Sequence, residues 1–140
     1  MALTKTECIA MYRTMVTIRQ FEILAGELFA AGKIPGFIHL SLGQEGSAVG
    51  VCSCLRKDDY LTTTHRGHGH MIAKGADLKK MVAELFGKKT GYCKGKGGSM
   101  HIADFSLGIL GANGVVAGGL PIIAGAGFSI KMRQTDQVAV

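Results

Sequence analysis

The chain has 140 residues, a length that allows one domain or part of one. Hydrophobic residues make up 47% and charged residues 19%, a composition that excludes a disordered chain. The net charge of +6 raises the question of nucleic-acid binding, but the basic residues are dispersed and no aromatic residues alternate with them. We therefore expect no nucleic-acid partner.

The four cysteines indicate neither a disulfide scaffold nor a structural zinc site. They are too few for a disulfide-rich domain, and none of them forms a C-x-x-C pair. The N-terminal sequence MALTKTE has neither the apolar core of a secretory signal nor an arginine-rich transit pattern. We therefore expect a reducing, cytoplasmic setting and assign no metal ligand within the sequence.

The first predicted element is a long helix. Thr4 and Glu7 have the spacing of a capping box, in which each side chain bonds to the backbone amide of the other. Gly32 and Pro35 are expected to end the helix. Apolar residues with helical spacing predict its buried face: Cys8, Met11, Tyr12, Met15, Val16, Leu24, Leu28 and Phe29.

The predicted elements that follow alternate between helix and strand. In chain order they are a loop over 34–42, a helix over 43–55, a strand over 60–64, a helix over 77–86, a glycine-lysine loop over 88–99, a glycine-rich turn region over 108–119, a helix over 120–130 and the start of a buried strand over 137–140. This alternation predicts an α/β fold with a parallel sheet.

The stretch between Phe105 and Ile130 carries no charged residue and is long enough to span a membrane. Its repeated glycines and Pro121 weaken an isolated helix, however. Small residues also allow a helix to pack closely against a sheet. We therefore predict a close-packed interior helix and no membrane insertion.

The glycine-lysine loop is similar to a phosphate-binding loop in composition only. Gly91 and Gly95 are one residue too close for a Walker loop, and Gly97 follows Lys96 where that loop needs a hydroxyl. Two interpretations stay open at this point. The loop is either a mobile surface segment or a segment that holds an anion through free amides and lysine charge.

Histidines cluster where the predicted strand over 60–64 ends, in the sequence HRGHGH. Ligands of open α/β sheets bind at the carboxyl ends of strands. Arg66 could bind a phosphate there through two parallel hydrogen bonds from its guanidinium, and a histidine could donate a proton near neutral pH. His39 and His101 also lie in glycine-flanked, non-helical segments. A structural role for each histidine stays open, but three at one strand end favour a site.

Four stretches of the sequence together resemble a known family: GFIHLSLGQEGSAVGV, TTTHRGHGH, AELFGKKTGYCKGKGGSMHIAD and GANGVVAGGLPIIAGAG. In order and spacing they are similar to the alpha subunit of the thiamine-diphosphate-dependent first component of 2-oxo acid dehydrogenase complexes. Among the branches of that family, acetoin dehydrogenase is the most similar and pyruvate dehydrogenase the next. The resemblance implies an α/β thiamine-diphosphate-binding fold.

The resemblance also implies partners and a reaction. Two alpha subunits pair with two beta subunits, and thiamine diphosphate with Mg²⁺ lies at their interface. Acetoin or a 2-oxo acid is cleaved or decarboxylated oxidatively, and the acyl group passes to a lipoyl group on the acyltransferase component. The beta subunit supplies the glutamate that activates the cofactor.

Cofactor contacts follow from the resemblance by position. Arg66 is expected to contact the diphosphate, with His65 beside it where many relatives have tyrosine. Gly114 and Val116 match positions whose backbone touches the aminopyrimidine ring.

Three histidines are implied to be catalytic in the same way. His39 matches a histidine near the reacting carbon, and His68 and His101 match histidines of the active-site channel. Their chemistry agrees with such a role, because histidine transfers protons near neutral pH.

The family's magnesium-diphosphate signature, GDG followed by an asparagine, comes just after a buried strand. This sequence ends at Val140, within that predicted strand. We therefore expect residues 1–140 to be the N-terminal part of a single domain, with the Mg²⁺ ligands beyond Val140. These residues alone are expected neither to bind thiamine diphosphate usefully nor to turn over. A shortened, non-catalytic protein that binds an anion or a partner is the alternative.

Overall fold

A computed structural model describes residues 3–140 of the chain. In chain order its elements are α1 (Lys5–Ala30), α2 (Glu45–Cys52), β1 (Leu61–Thr64), α3 (His68–Ala73), α4 (Leu78–Leu85), a 3₁₀ turn (Phe105–Leu107), β2 (Ile109–Asn113) and α5 (Gly119–Arg133). The predicted α/β fold with a parallel sheet is confirmed, because β1 and β2 pair in parallel. The core lies where α1, α2, α3 and α4 meet the sheet.

The capping box at the start of α1 is confirmed. The Glu7 amide donates to Thr4 Oγ1 at 3.2 Å, and the Thr4 amide donates to Glu7 Oε2 at 2.7 Å. The predicted buried face is right in part, because Met11, Met15 and Leu28 are partly buried and pack against the core. The buried residues of α1 are Ile18, Phe21, Glu22 and Ala25, which the prediction did not include. Apolar residues lie on several sides of α1, and among the described residues the covered side is the one turned toward α2, α3 and α4. The predicted core residues that are exposed are Cys8, Tyr12, Val16, Leu24 and Phe29.

Strand β2 lies inside the segment that the sequence predicted to be a turn region, so that prediction is wrong. Leu61 pairs with Ile109, Thr62 pairs with Gly111, and the extra residue between those partners makes a bulge. Gly108 and Gly111 have φ angles of 71° and 142°, which side chains disfavour. Because glycine is also typical of turns, the glycines that this backbone needs hide the strand in the sequence.

The segment over 138–140 runs beside β1, as the predicted strand start requires. The Tyr60 amide donates to Val138 O at 2.8 Å, and the Val140 amide donates to Tyr60 O at 2.9 Å. The buried Asp59 carboxylate accepts the Val138 amide at 2.8 Å and holds the segment in place. The predicted burial is wrong, because Val138 and Val140 are nearly half exposed.

Helix α5 confirms the helix predicted over 120–130, but the predicted interior position is wrong. Ile130 is its buried residue, whereas Leu120, Phe128 and Met132 are about two-thirds exposed. One side of α5 rests on β1 and β2, and within residues 3–140 no element covers the other side. No helix in this part of the chain combines the length and apolarity needed to cross a bilayer.

An ion pair joins α1 to α2 and makes stability depend on pH. Arg19 Nε lies 2.6 Å from Glu45 Oε1, and Arg19 Nη2 lies 3.1 Å from Glu45 Oε2. The hydrogen bond from Arg19 lowers the pKa of the buried Glu45 carboxyl from 4.5 to about 2. Because the folded pKa is depressed, this contribution is present above pH 4.5 and is lost as pH falls toward 2.

We expect Glu45→Gln to lower the free energy of unfolding by about 1–2 kcal/mol at neutral pH, since Arg19 is half exposed and screened by solvent. The difference from the unmodified chain should shrink as pH falls from 4.5 toward 2. Urea unfolding of the full-length chain and of the variant at several pH values measures this difference in the free energy of unfolding. A difference that stays constant over that range would rule out the ion pair as its source.

Candidate functional site

The carboxyl ends of β1 and β2 lie at the same edge of the sheet, because the strands are parallel and Thr64 pairs with Asn113. Arg66 follows β1 directly, and Gly114 and Val116 follow β2. The structure therefore brings together residues that are 48 positions apart in the sequence, the difference between 66 and 114. A cavity of about 210 Å³ opens at this edge and is lined by both strand ends.

The loop before α2 packs against the residues that follow β1. The half-buried Arg66 donates from Nη1 to the carbonyl oxygen of Leu40. The neighbouring His39 ring lies edge-on to His65, with ring centroids 5.1 Å apart. Among the residues that the structure describes, His39 Nδ1 is a buried ring nitrogen without a hydrogen-bond partner. It is therefore free to bond to a ligand.

The turn after β2 carries the second half of the site. A Cβ atom placed on Gly114 would lie only 3.2 Å from His101 Cε1, so the bare backbone admits the histidine ring. Asn113 Oδ1 accepts the Val115 amide at 2.8 Å, and Ala117 has a left-handed φ of 62°. A non-glycine residue in that conformation is strained. The turn thus presents Val116 and its neighbours to solvent in a fixed shape.

His68 has a different environment from the other predicted catalytic histidines. Its side chain is fully buried, with Nδ1 lying 3.1 and 3.2 Å from the two carboxylate oxygens of Glu22. Its Nε2 lies 3.0 Å from Ser99 Oγ, so both ring nitrogens are occupied. His70 bonds to Thr63 Oγ1 through Nδ1 at 3.0 Å, and burial lowers the pKa of His70.

The glycine-lysine loop wraps around one buried carboxylate, that of Glu84. The amides of Cys93 and Gly95 donate to Glu84 Oε2 at 2.8 and 2.9 Å. The amides of Gly97 and Gly98 donate to Oε1 at 2.7 and 3.1 Å. Glu84 is completely buried. Its carboxylate occupies the amides that would otherwise hold an external anion. The prediction that the loop binds an anion through free amides is therefore wrong for these four amides.

The glycines of this loop are explained by the same arrangement. A Cβ atom on Gly91 would overlap the Glu84 side chain, and one on Gly97 would lie 2.7 Å from His101 O. The interpretation as a mobile surface segment is also wrong here, because four amides are tied to one internal group. The loop leads directly to Ser99 and His101, so Glu84 shapes the approach to the site.

Sequence reasoning missed four polar residues that organise the site. They are Glu22, Ser41, Glu84 and Ser99, all of which are buried. Helical spacing is the signal that could have found Glu22, since it lies between Ile18 and Ala25 on one face. The serines carry no such signal, because their neighbours come from distant segments.

Two further observations define the surroundings. A larger groove of about 680 Å³ lies between α1 and α4 and is lined by none of the predicted site residues. Within residues 3–140, no group of three or more His, Cys, Asp or Glu side chains is placed to hold a metal ion.

Comparison with known proteins gives consistent matches. The family model described as "Dehydrogenase E1 component" matches residues 13–140. The subunit alpha of acetoin:2,6-dichlorophenolindophenol oxidoreductase from Bacillus subtilis is 55% identical over all of this chain and 42% of its own length. The protein of that name from Cupriavidus necator is 49% identical over 99% of this chain and 41% of its own length.

A more distant relative is the mitochondrial pyruvate dehydrogenase E1 component subunit alpha of Schizosaccharomyces pombe. It is 43% identical over 91% of this chain and 31% of its own length. The chain therefore spans less than half the length of the curated relatives that it matches.

Proposed function

Since the chain belongs to the dehydrogenase E1 component family, we propose that it forms part of the alpha subunit of a thiamine-diphosphate-dependent dehydrogenase. The observation that carries this proposal is the parallel pairing of β1 and β2, since Arg66 follows the end of one strand and the turn over 114–116 follows the end of the other. The substrate is acetoin or a small 2-oxo acid. Acetoin is favoured, because identity is 55% to an acetoin-named relative and 43% to a pyruvate dehydrogenase relative.

The residues at the sheet edge fit the cofactor's chemistry. Arg66 offers a guanidinium just after a strand end, and among residues 3–140 the hydrogen-bond partner of its Nη1 is one carbonyl oxygen. Guanidinium groups bind phosphate oxygens in pairs. Gly114 has no side chain of its own, and the His101 ring lies next to its backbone. When bound, thiamine diphosphate would supply an electron sink for the charge that develops on the substrate's carbonyl carbon as its bond to the neighbouring carbon breaks.

The chain's own histidines orient and protonate the substrate in this proposal. His39, whose buried Nδ1 has no hydrogen-bond partner among residues 3–140, hydrogen-bonds through its ring to the reacting substrate oxygen, and the His65 ring packs edge-on to it. His101, exposed beside Gly114, faces the substrate channel. His68 has no free nitrogen, so we propose that it holds the site together and does not contact the substrate.

Further partners belong to the same proposal. A beta subunit, in a complex of two alpha and two beta chains, covers apolar surface such as Leu120 and Phe128 on α5. A lipoyl-bearing acyltransferase component accepts the acyl group. The ligands of Mg²⁺ are expected beyond Val140, and residues 1–140 then form the N-terminal part of one domain.

A reconstitution assay tests this function. The full-length chain, its beta subunit, thiamine diphosphate and Mg²⁺ are mixed with acetoin or pyruvate, and reduction of 2,6-dichlorophenolindophenol is followed. We expect dye reduction that requires the cofactor and the beta subunit, and is faster with acetoin. If neither acetoin nor pyruvate supports dye reduction, the proposal is contradicted. Faster reduction with pyruvate would keep the enzyme class and reverse the substrate preference.

A further inference from the structure

Four buried polar side chains form a continuous chain through the interior. Ser41 Oγ donates to Glu22 Oε1 at 2.6 Å, and the two Glu22 oxygens lie 3.1 and 3.2 Å from His68 Nδ1. His68 Nε2 then lies 3.0 Å from Ser99 Oγ. All four residues are at most 4% exposed. We name Ser41, Glu22, His68 and Ser99 the buried relay.

Proton positions in the buried relay follow from its chemistry. An ionised carboxylate can only accept hydrogen bonds, so His68 Nδ1 facing an ionised Glu22 is the N–H that donates the hydrogen bond. A serine hydroxyl both donates and accepts, so Ser99 satisfies Nε2 whether or not that nitrogen is protonated. Phe21 packs edge-on to the His68 ring at 5.6 Å and fixes its orientation.

The two ends of the buried relay lie beside the proposed catalytic histidines. Ser41 is two residues after His39, and Ser99 is two residues before His101. Helix α1 contributes Glu22, and α3 contributes His68. Two loops that are about 60 residues apart in the sequence are thus joined through two side chains of the core.

Stability alone does not account for this arrangement. Within the described residues, the titratable group in contact with Glu22 is the His68 ring, which is charged only when both of its nitrogens are protonated. Burying such a pair costs desolvation energy, and well-packed apolar residues of similar volume often stabilise a fold equally well. A buried polar chain differs in one respect, since its directional bonds select a single arrangement of the groups at its ends.

We propose that Glu22 is a positioning residue, which acts through His68 to hold the loop of His39 and the loop of His101 in one fixed arrangement for the reaction. The proposal deepens the function proposed above and rests on it. Removing the Glu22 carboxylate frees both loops at once. Removing either serine frees one loop only.

Hydrogen–deuterium exchange of the full-length chain, assembled with its beta subunit, tests the buried relay without relying on activity. In Glu22→Gln we expect amide exchange to rise about tenfold in both loops, 36–43 and 91–101, because each local opening becomes easier. The four amides that Glu84 binds, those of residues 93, 95, 97 and 98, should stay protected. In Ser41→Ala amide exchange should rise in the first loop only, and in Ser99→Ala it should rise in the second loop only. Each serine variant removes only the hydroxyl oxygen, so the proposal can still be tested if Glu22→Gln does not fold.

Glu45→Gln is the matched control, because Glu45 is also a buried carboxylate of the α1–α2 contact but lies outside the buried relay. It should leave exchange in the loop over 91–101 unchanged. Unchanged exchange in that loop in both Glu22→Gln and Ser99→Ala would overturn the proposal, whatever the enzyme activity.

Kinetics then test whether this positioning serves the reaction. We expect Glu22→Gln to lower kcat about 10–100-fold with little change in KM, because small misplacements of reacting groups cost rate. Faster exchange in both loops with normal kcat would overturn the catalytic part of the proposal. Inactivity of the unmodified complex would instead refute the proposed function, while the exchange data would still decide whether the buried relay holds the loops.

Discussion

Replacement of Glu84 by glutamine is expected to destabilise the fold by about 3–5 kcal/mol, the range for breaking a buried charged interaction. The carboxylate is fully buried and accepts four backbone amides, from residues 93, 95, 97 and 98. In glutamine one oxygen becomes an amide nitrogen, which would point its hydrogens at two amide donors. Those donors would be left buried and unpaired, and each costs free energy.

Urea unfolding of the full-length chain measures this loss. Glu27→Gln is the control, because Glu27 lies on the exposed side of α1 and its replacement should change stability by less than about 0.5 kcal/mol. An equally small change in Glu84→Gln would show that the glycine-lysine loop does not depend on the carboxylate.

Replacement of Arg66 by alanine is expected to weaken thiamine diphosphate binding by about 2–4 kcal/mol, or roughly 30–1,000-fold, the scale for losing a charged hydrogen-bonding partner. Arg66 follows the carboxyl end of β1, and the turn over 114–116 follows the paired end of β2. Titration calorimetry of the assembled alpha and beta chains with Mg²⁺ measures the affinity.

Lys96→Ala is the matched control for Arg66, because Lys96 is an exposed cation of the glycine-lysine loop. We expect it to change the affinity by less than about threefold, as surface charges contribute little. The opposite pattern, a large loss in Lys96→Ala and none in Arg66→Ala, would place the diphosphate at that loop.

Local signals made several elements predictable from the sequence. The pair of Thr4 and Glu7 marks the start of α1, and Asp77 caps α4 by accepting two amides at 2.7 and 3.0 Å. Gly87, with a φ of 66°, marks the end of α4. Such signals depend on residues within one helical turn, so the sequence contains all that is needed.

Other features depend on contacts that no local pattern contains. Strand β2 was missed because Gly108 and Gly111 serve its bulge and also resemble turn residues. The interior position predicted for α5 is wrong because burial depends on what covers a helix, and Phe128 is uncovered within residues 3–140.

The candidate site likewise could be predicted from the sequence only in part. Helix and strand patterns predicted a site after β1, and the resemblance to a family assigned Arg66 and Gly114 to one cofactor. That the strands before these residues end at the same sheet edge depends on the parallel register of β1 and β2, which the structure supplies. The buried relay joins segments far apart in the sequence, so only the three-dimensional arrangement reveals that Glu22 and Ser99 belong together.

A structure of the full-length alpha and beta complex with thiamine diphosphate and Mg²⁺ tests the central claim most directly. We predict that the Arg66 guanidinium lies within hydrogen-bond distance of a diphosphate oxygen, and that the backbone over 114–116 contacts the aminopyrimidine ring. Density for the cofactor anywhere other than this sheet edge would contradict the assignment of the site.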